Sequence, residues 1–217
     1  HNSLNKKNTL DFLIWSRENK VKTIAVDCLS NFCQYIDHIW LPCIYFETKS
    51  ASFYKKPPNI SFGWDHFLLK KSEPIPSSIV GNKVLIMTGG SDVLDLGAWL
   101  PKELDSKLKN SSTVQWIKGP YAKYPNIPSR TRLNWQIIDS PRNMDKLISS
   151  SNFVLTLFGV SFFESIQYGI PTVVAPLHES KNLKELKLIN DEQVALVAKD
   201  IYDSVNQLCI LMSNSKL

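Results

Sequence analysis

Three short runs of small and polar residues have the types and spacing to hold a phosphorylated ligand. The first is Gly89-Gly90-Ser91-Asp92. Adjacent glycines let the backbone come close to a ligand and take positive φ, and the amides of a following helix start suit phosphate. The same residues also read as a plain strand-to-helix turn with Ser91 or Asp92 as N-cap. The second run is Gly159-Val160-Ser161, with Glu164 one turn further on. A helix starting there offers unpaired amides and its positive dipole end, and the Glu164 carboxylate could accept the two vicinal hydroxyls of a ribose. Ser161-x-x-Glu164 is equally a capping box, which fixes a helix start with no ligand. The third run is His178-Glu179-Ser180-Lys181-Asn182, where polar side chains could hold sugar hydroxyls or simply cap the next helix.

Other chemistries find no support. His38 and His66 each follow an aspartate directly, and neighbours on a strand point to opposite faces. The chain has no Gly-x-Ser-x-Gly elbow, Walker loop or metal-ligand spacing, so neither a metal nor a cofactor is expected. Cys28, Cys33, Cys43 and Cys209 form no C-x-x-C pair and read as half-buried thiols of a reducing compartment. The six tryptophans are scattered, which suits packing rather than a stacking platform for nucleic acid. The net charge of +5 is dispersed over lysines such as Lys6, Lys7, Lys55, Lys56, Lys70 and Lys71, as on a solvated surface.

The elements that must position the three runs are legible as alternating strands and helices. At 217 residues, 43% hydrophobic and 21% charged, the chain can form one large domain or one and a half ordinary ones. The front reads as a helix over Leu10–Glu18, then strands over Val21–Val26 and Ile36–Leu41. The polar, proline-bearing stretch 72–80 is the expected linker, with one domain over 1–71 before it and a second over 81–217 after it. Behind it, strands are expected at Val84–Thr88, Val114–Lys118, Trp135–Ile138, Phe153–Phe158, Thr172–Leu177 and Val194–Val197. Helices are expected at Leu94–Leu100, ending near Pro101, and from an N-cap at Ser140 with Pro141 in the first turn. Further helices fall at Phe162–Tyr168, Lys181–Ile189 and Ile201–Met212. Continuous apolar strands alternating with helices mean a parallel sheet covered on both faces. In such sheets ligands bind beyond the carboxyl ends of the strands, where all three runs fall. The sequence reads as one without a leader peptide or an apolar run long enough to span a bilayer, so a cytoplasmic protein without stable membrane insertion is expected.

In this order the motifs resemble a known family. Val84-Leu-Ile-Met-Thr-Gly-Gly-Ser-Asp92 resembles the strand and loop that open the C-terminal domain of PseG-type UDP-sugar hydrolases and their spore-coat polysaccharide relatives. Val114-Gln-Trp-Ile-Lys-Gly-Pro120 is similar to that family's next strand. Ile138-Asp139 with Met144-Asp-Lys-Leu-Ile-Ser-Ser-Ser-Asn152 resembles its uracil-side strand and helix. Gly159-Val-Ser-Phe-Phe-Glu-Ser-Ile-Gln-Tyr-Gly-Ile-Pro171 resembles the donor-site motif, shared with MurG-type glycosyltransferases. Upstream, Ile24-Ala-Val-Asp27 and Gly63-Trp-Asp-His-Phe-Leu-Leu69 are similar to the end of the family's N-terminal domain.

The resemblance implies a GT-B-like fold: a Rossmann-type, parallel-sheet C-terminal domain preceded by the last part of a second Rossmann-like domain. It implies a UDP-linked sugar as ligand, in bacterial surface-glycan biosynthesis. Backbone at Ile138 would read the base, Gly159, Val160 and Ser161 would hold the pyrophosphate, and Glu164 the ribose. Gly89, Gly90, Ser91 and Asp92 would border the phosphates or sugar, with His178, Glu179, Ser180 and Asn182 beside them. The implied reaction is attack of water at the anomeric carbon with release of UDP, or of an acceptor hydroxyl in the transferase relatives. Two departures stand out. The family's N-terminal glycine-rich loop with its general-base histidine has no counterpart here, so no catalytic residue is carried over; a further N-terminal domain or a partner subunit would have to supply it. Glu179-Ser180 also stands where family members tend to have Asn-Gln. A domain that kept the fold as a scaffold and lost the ligand is the alternative of a different class.

Overall fold

Lys83–Met87 (β4) shows in five residues why the second half of the chain folds as it does. Val84 and Ile86 point to one side, Leu85 and Met87 to the other, and all four are at most 3% exposed. A strand apolar on both faces needs cover on both. The computed structural model supplies it, and describes residues 3–45, 59–67, 69, 81–177 and 182–213. The chain divides into two compact units, His1–Leu68 and Leu69–Leu217.

In the second unit, β4 is joined by Thr113–Lys118 (β5), Asn134–Asp139 (β6), Phe153–Leu157 (β7), Thr172–Ala175 (β8) and Leu196–Val197 (β9). The sheet order is β6-β5-β4-β7-β8-β9 and every pairing is parallel. One face packs Val84, Ile86, Trp116, Leu155 and Val173 against Leu100 and Leu104 of α2 (Leu100–Lys107) and Val205 and Leu208 of α6 (Ser204–Ser213). The other packs Leu85, Met87 and Val154 against Ile148 of α3 (Met144–Ser149), with Tyr168 and Ile170 following α4 (Val160–Gln167). Each fully buried aliphatic side chain of this kind contributes about 1.5–3 kcal/mol. Leu183–Asp191 (α5) lies between β8 and β9 in the chain, with Leu186 and Ile189 buried. The expected parallel α/β sheet is present, and its order is that of a doubly wound α/β domain.

The first unit is smaller. The helix Ser3–Glu18 (α1) precedes three short parallel strands, Ile24–Val26 (β1), His38–Trp40 (β2) and Ile60–Ser61 (β3), in the order β1-β2-β3. Leu13, Ala25, Ile36, Ile39, Leu41 and Ile60 form its core. Asn59 ties it together by donating from Nδ2 to the carbonyls of Cys33 and Ile36, both at 2.7 Å. The opposite side of β1 is open, with Ile24 70% exposed.

Two helix boundaries differ from the sequence expectation. Leu94–Leu100 is not a helix that Pro101 ends: a short 3₁₀ turn covers Leu96–Ala98, and α2 begins at Leu100 with Pro101 in its first turn. Proline lacks only an N–H that is unpaired there anyway, so it starts this helix. Ser140 does not cap α3. It has φ of +45° and its hydroxyl donates to Asp139 at 2.7 Å, while Asn143 takes the cap by accepting from the Lys146 amide at 3.2 Å. The expected linker, 72–80, lies outside the described residues. No helix among the described residues is long and apolar enough to cross a membrane.

Candidate functional site

The sheet order reverses between β4 and β7, since β5 and β6 lie on one side of β4 and β7, β8 and β9 on the other. At such a switch point the two adjacent carboxyl-end loops part and leave a crevice. The loop after β4 is Gly89–Asp92 and the loop after β7 is Gly159 to Ser161. The fold thus brings two of the three expected runs together. They line a cavity of about 270 Å³ with Thr88, Val93, Thr156, Phe158 and Leu177. Thr88 is 3% exposed, and its hydroxyl has no hydrogen-bond partner among the described residues. A larger cavity of about 640 Å³ sits at the other end of the sheet, among residues such as Ile170, Pro171, Asn190 and Val194, away from the loops that carry ligands in this topology.

The two loops are built differently. Gly89 has φ of +88°, a conformation that suits glycine. Asp92 folds back: its Oδ1 accepts from the Leu96 amide at 3.0 Å and its Oδ2 from the Gly97 amide at 2.8 Å. The first amides of the 3₁₀ turn are therefore occupied by a side chain of the protein itself. The loop is also braced from behind. Gly119, which follows β5, is buried so close that a Cβ there would overlap the carbonyl oxygens of both Gly89 and Gly90. The Tyr121 amide donates to the Gly90 carbonyl at 3.0 Å.

After β7 the helix start is bare. Gly159 is the N-cap of α4 and has no side chain to accept a bond from the helix amides. Ser161 is the second helical residue, so the capping box expected for Ser161 and Glu164 does not form; an N-cap two residues earlier carries the start. The Phe162 amide bonds back to Gly159 O at 3.0 Å, and the amides of Val160 and Ser161 have no partner within the helix. Glu164 is half-buried on this helix, without a hydrogen bond or ion pair among the described residues. Burial, and after it the Asp145 carboxylate on α3, push its carboxyl above the usual range.

Ile138 lies elsewhere, at the end of the edge strand β6, where its side chain packs partly against the Leu85–Met87 face. Of the third run, His178, Glu179, Ser180 and Lys181 lie outside the described residues. Asn182 occupies the N-cap position of α5 with φ of +64° and makes no side-chain cap bond.

Sequence reading missed the polar cluster beside β6. Lys118, 9% exposed, donates to Asp139 Oδ1 at 3.1 Å and pairs with its Oδ2 at 3.0 Å. The Tyr124 hydroxyl donates to Asp139 at 2.9 Å, and the Lys118 ammonium stands 5.0 Å from the Tyr124 ring centroid. Hydrogen bonds from Ser140, Lys118 and Tyr124 hold the Asp139 carboxyl down at about 2. A lysine ending the run Val114-Gln-Trp-Ile-Lys118 was the available signal, since a buried lysine needs a partner.

No family model and no curated protein matches the chain. Solved structures do share its fold. MurG of Acinetobacter baumannii superposes with a TM-score of 0.53 over 93% of this chain and 60% of its own length, at 16% identity. The glycotransferase of kitacinnamycin gives 0.55 over 98% and 54%, at 14% identity. The spinosyn rhamnosyltransferase SpnG, solved with thymidine diphosphate, gives 0.52 over 93% and 61%, at 12% identity. These neighbours are GT-B glycosyltransferases, and at such identities the likeness is one of fold. The chain has a GT-B-like, Rossmann-type α/β fold, and it spans less than two thirds of the length of each of these three neighbours.

Proposed function

We propose that the second unit binds a UDP-linked sugar, with the diphosphate lying between the Gly89–Gly90 loop and the start of α4. The observation that carries this is the meeting, at the switch point, of two glycine loops with an uncapped eight-residue helix. Free amides and the positive end of the helix dipole attract a diphosphate. Gly159 leaves room for it, since an added Cβ there would meet nothing within 4 Å. Glu164, one turn on and unpartnered among the described residues, is the acceptor for the ribose hydroxyls, and backbone at Ile138 is the reader of the base. A thymidine diphosphate in the related fold of SpnG supports a nucleoside diphosphate as the ligand class.

The reaction this serves is displacement at the anomeric carbon. A new C–O bond forms there, the bond to the diphosphate breaks, and UDP leaves with the electron pair. With water as nucleophile the protein is a UDP-sugar hydrolase, as its motif resemblance to the PseG type suggests. The glycosyltransferase fold of its neighbours favours an acceptor hydroxyl as the second reading. UDP release from UDP-sugars by the full-length protein without acceptor separates the two. Binding comes first: calorimetric titration should show UDP bound in preference to CDP and dTDP, and weakened by about 1–3 kcal/mol in Glu164→Gln, as for a lost charged hydrogen bond. A folded sample with no affinity for UDP would sink the reading.

A further inference from the structure

Thr88 follows Met87, the last residue of β4, and precedes Gly89, whose φ of +88° turns the chain into its loop. It is buried and lines the switch-point cavity, yet its hydroxyl has no hydrogen-bond partner among the described residues. Four side chains among those residues hold such a buried, unpartnered atom: His66, Thr88, Ser112 and Gln115. Of the four, only Thr88 lines this cavity. Ser112 precedes β5 at the opposite end of the sheet, Gln115 lies within β5, and His66 belongs to the first unit. Thr156 of β7, the register partner of Met87, is buried to the same degree but donates to the Leu157 carbonyl at 3.2 Å. Valine matches threonine in shape and suits the end of a strand equally well. A hydroxyl in its place, buried without an acceptor, destabilises the fold. Such a group in a cavity wall calls for a partner from outside the chain.

We infer that the Thr88 hydroxyl donates a hydrogen bond to an oxygen of the bound diphosphate. This rests on the reading of the switch point as a diphosphate site. The position fits, because β4 and β7 are neighbours and the residue that ends β4 lies at the floor between the two loops that flank the cavity. The chemistry fits as well: a hydroxyl that meets an anionic oxygen makes a charge-assisted bond, roughly twice as strong as a neutral one. The loop after β4 has little else to offer an anion, since Asp92 holds the amides of Leu96 and Gly97. Thr88 therefore supplies the donor from the β4 side, opposite the open amides at the start of α4.

The test is thermal unfolding and calorimetric titration of wild type, Thr88→Val and Thr88→Ser with UDP and uridine. Without ligand, Thr88→Val should melt at the wild-type temperature or above it, because an unpaired buried hydroxyl becomes a methyl of like size. Its affinity for UDP should fall about tenfold, as for a lost hydrogen bond to a charged group. Uridine, which carries no phosphate, should not distinguish the two proteins, and Thr88→Ser should keep the UDP affinity. A lower melting temperature for Thr88→Val would mean that the hydroxyl is already paired in the free protein, and overturns the inference. So does a wild type that binds UDP no better than Thr88→Val, or a loss that uridine shares, which gives the hydroxyl to the nucleoside. Folded wild type with no affinity for UDP removes the diphosphate site itself and this donor with it, a result distinct from equal binding by the two proteins.

Discussion

The loops after β4 and β7 carry similar residues and face one another across the switch point, yet they solve opposite problems. The first closes on itself: Asp92 occupies the amides ahead of it, and Gly119 and Tyr121 fix the peptide of Gly90. The second leaves its helix amides open behind a residue with no side chain. The difference teaches that a glycine-rich turn is not by itself a phosphate site. What decides is whether the protein has already spent the amides: the loop after β4 has, the start of α4 has not, and the proposed diphosphate site therefore rests on the latter.

Four substitutions break or sharpen that contrast. The largest effect is expected from Gly119→Ala, whose added methyl would run into two backbone carbonyls that have little room to move. A loss of about 3 kcal/mol in urea unfolding is expected, at the upper end of overpacking costs. Asp92→Ala removes two cap bonds and places alanine at φ of +47°. It should cost about 1–2 kcal/mol of stability by the same measurement. Glu164→Gln should leave stability at neutral pH the same or higher, because no capping box is lost. Its pH dependence has a definite sign. The folded carboxyl titrates above its ordinary value of 4.5. Above pH 4.5 the folded state therefore holds a proton that the unfolded chain has lost, and stability falls as pH rises through that window. Thermal melts of wild type should show this decline and Glu164→Gln should flatten it. The smallest effect on folding belongs to Gly159→Ala. Its φ of 165° is extended backbone open to any residue and nothing crowds the position, so unfolding should shift by less than about 0.5 kcal/mol. UDP affinity should nonetheless fall if diphosphate lies against that Cα, which separates the two glycines cleanly: Gly119 for the fold, Gly159 for the ligand.

Much of the fold was legible because its strands are apolar on both faces. The expected Val84–Thr88, Val114–Lys118, Trp135–Ile138 and Phe153–Phe158 each fall within a residue at either end of β4, β5, β6 and β7. What the sequence concealed is local competition for hydrogen bonds. Ser140 looks like an N-cap, but its hydroxyl goes to Asp139. Ser161-x-x-Glu164 looks like a capping box, but the helix starts earlier, at a glycine. Pro101 looks like a stop and is a start. In each case two acceptors or two register choices were open within a few residues, and a near neighbour took the role: Asp139 engages the Ser140 hydroxyl, Asn143 caps α3, Gly159 starts α4 and Leu100 starts α2. The switch-point pairing of the two loops could be anticipated only as a general rule for parallel sheets; Gly119 and the Lys118–Asp139–Tyr124 cluster depend on contacts between strands that no spacing reveals.

The central place of β4 has a consequence for synthesis on the ribosome. One edge of this strand pairs with β5, which follows soon after, but the other waits for β7, where Val84 meets Phe153. Nearly seventy residues must be added first, which takes roughly 4–14 s at about 5–20 residues per second. Through that interval β4 presents an open backbone edge, and Leu85 and Met87 lack the cover of Ile148 until late in it. The nascent chain is therefore most in need of chaperone protection before the switch-point crevice exists, and β7, the strand that completes the crevice, is the one that closes the open edge.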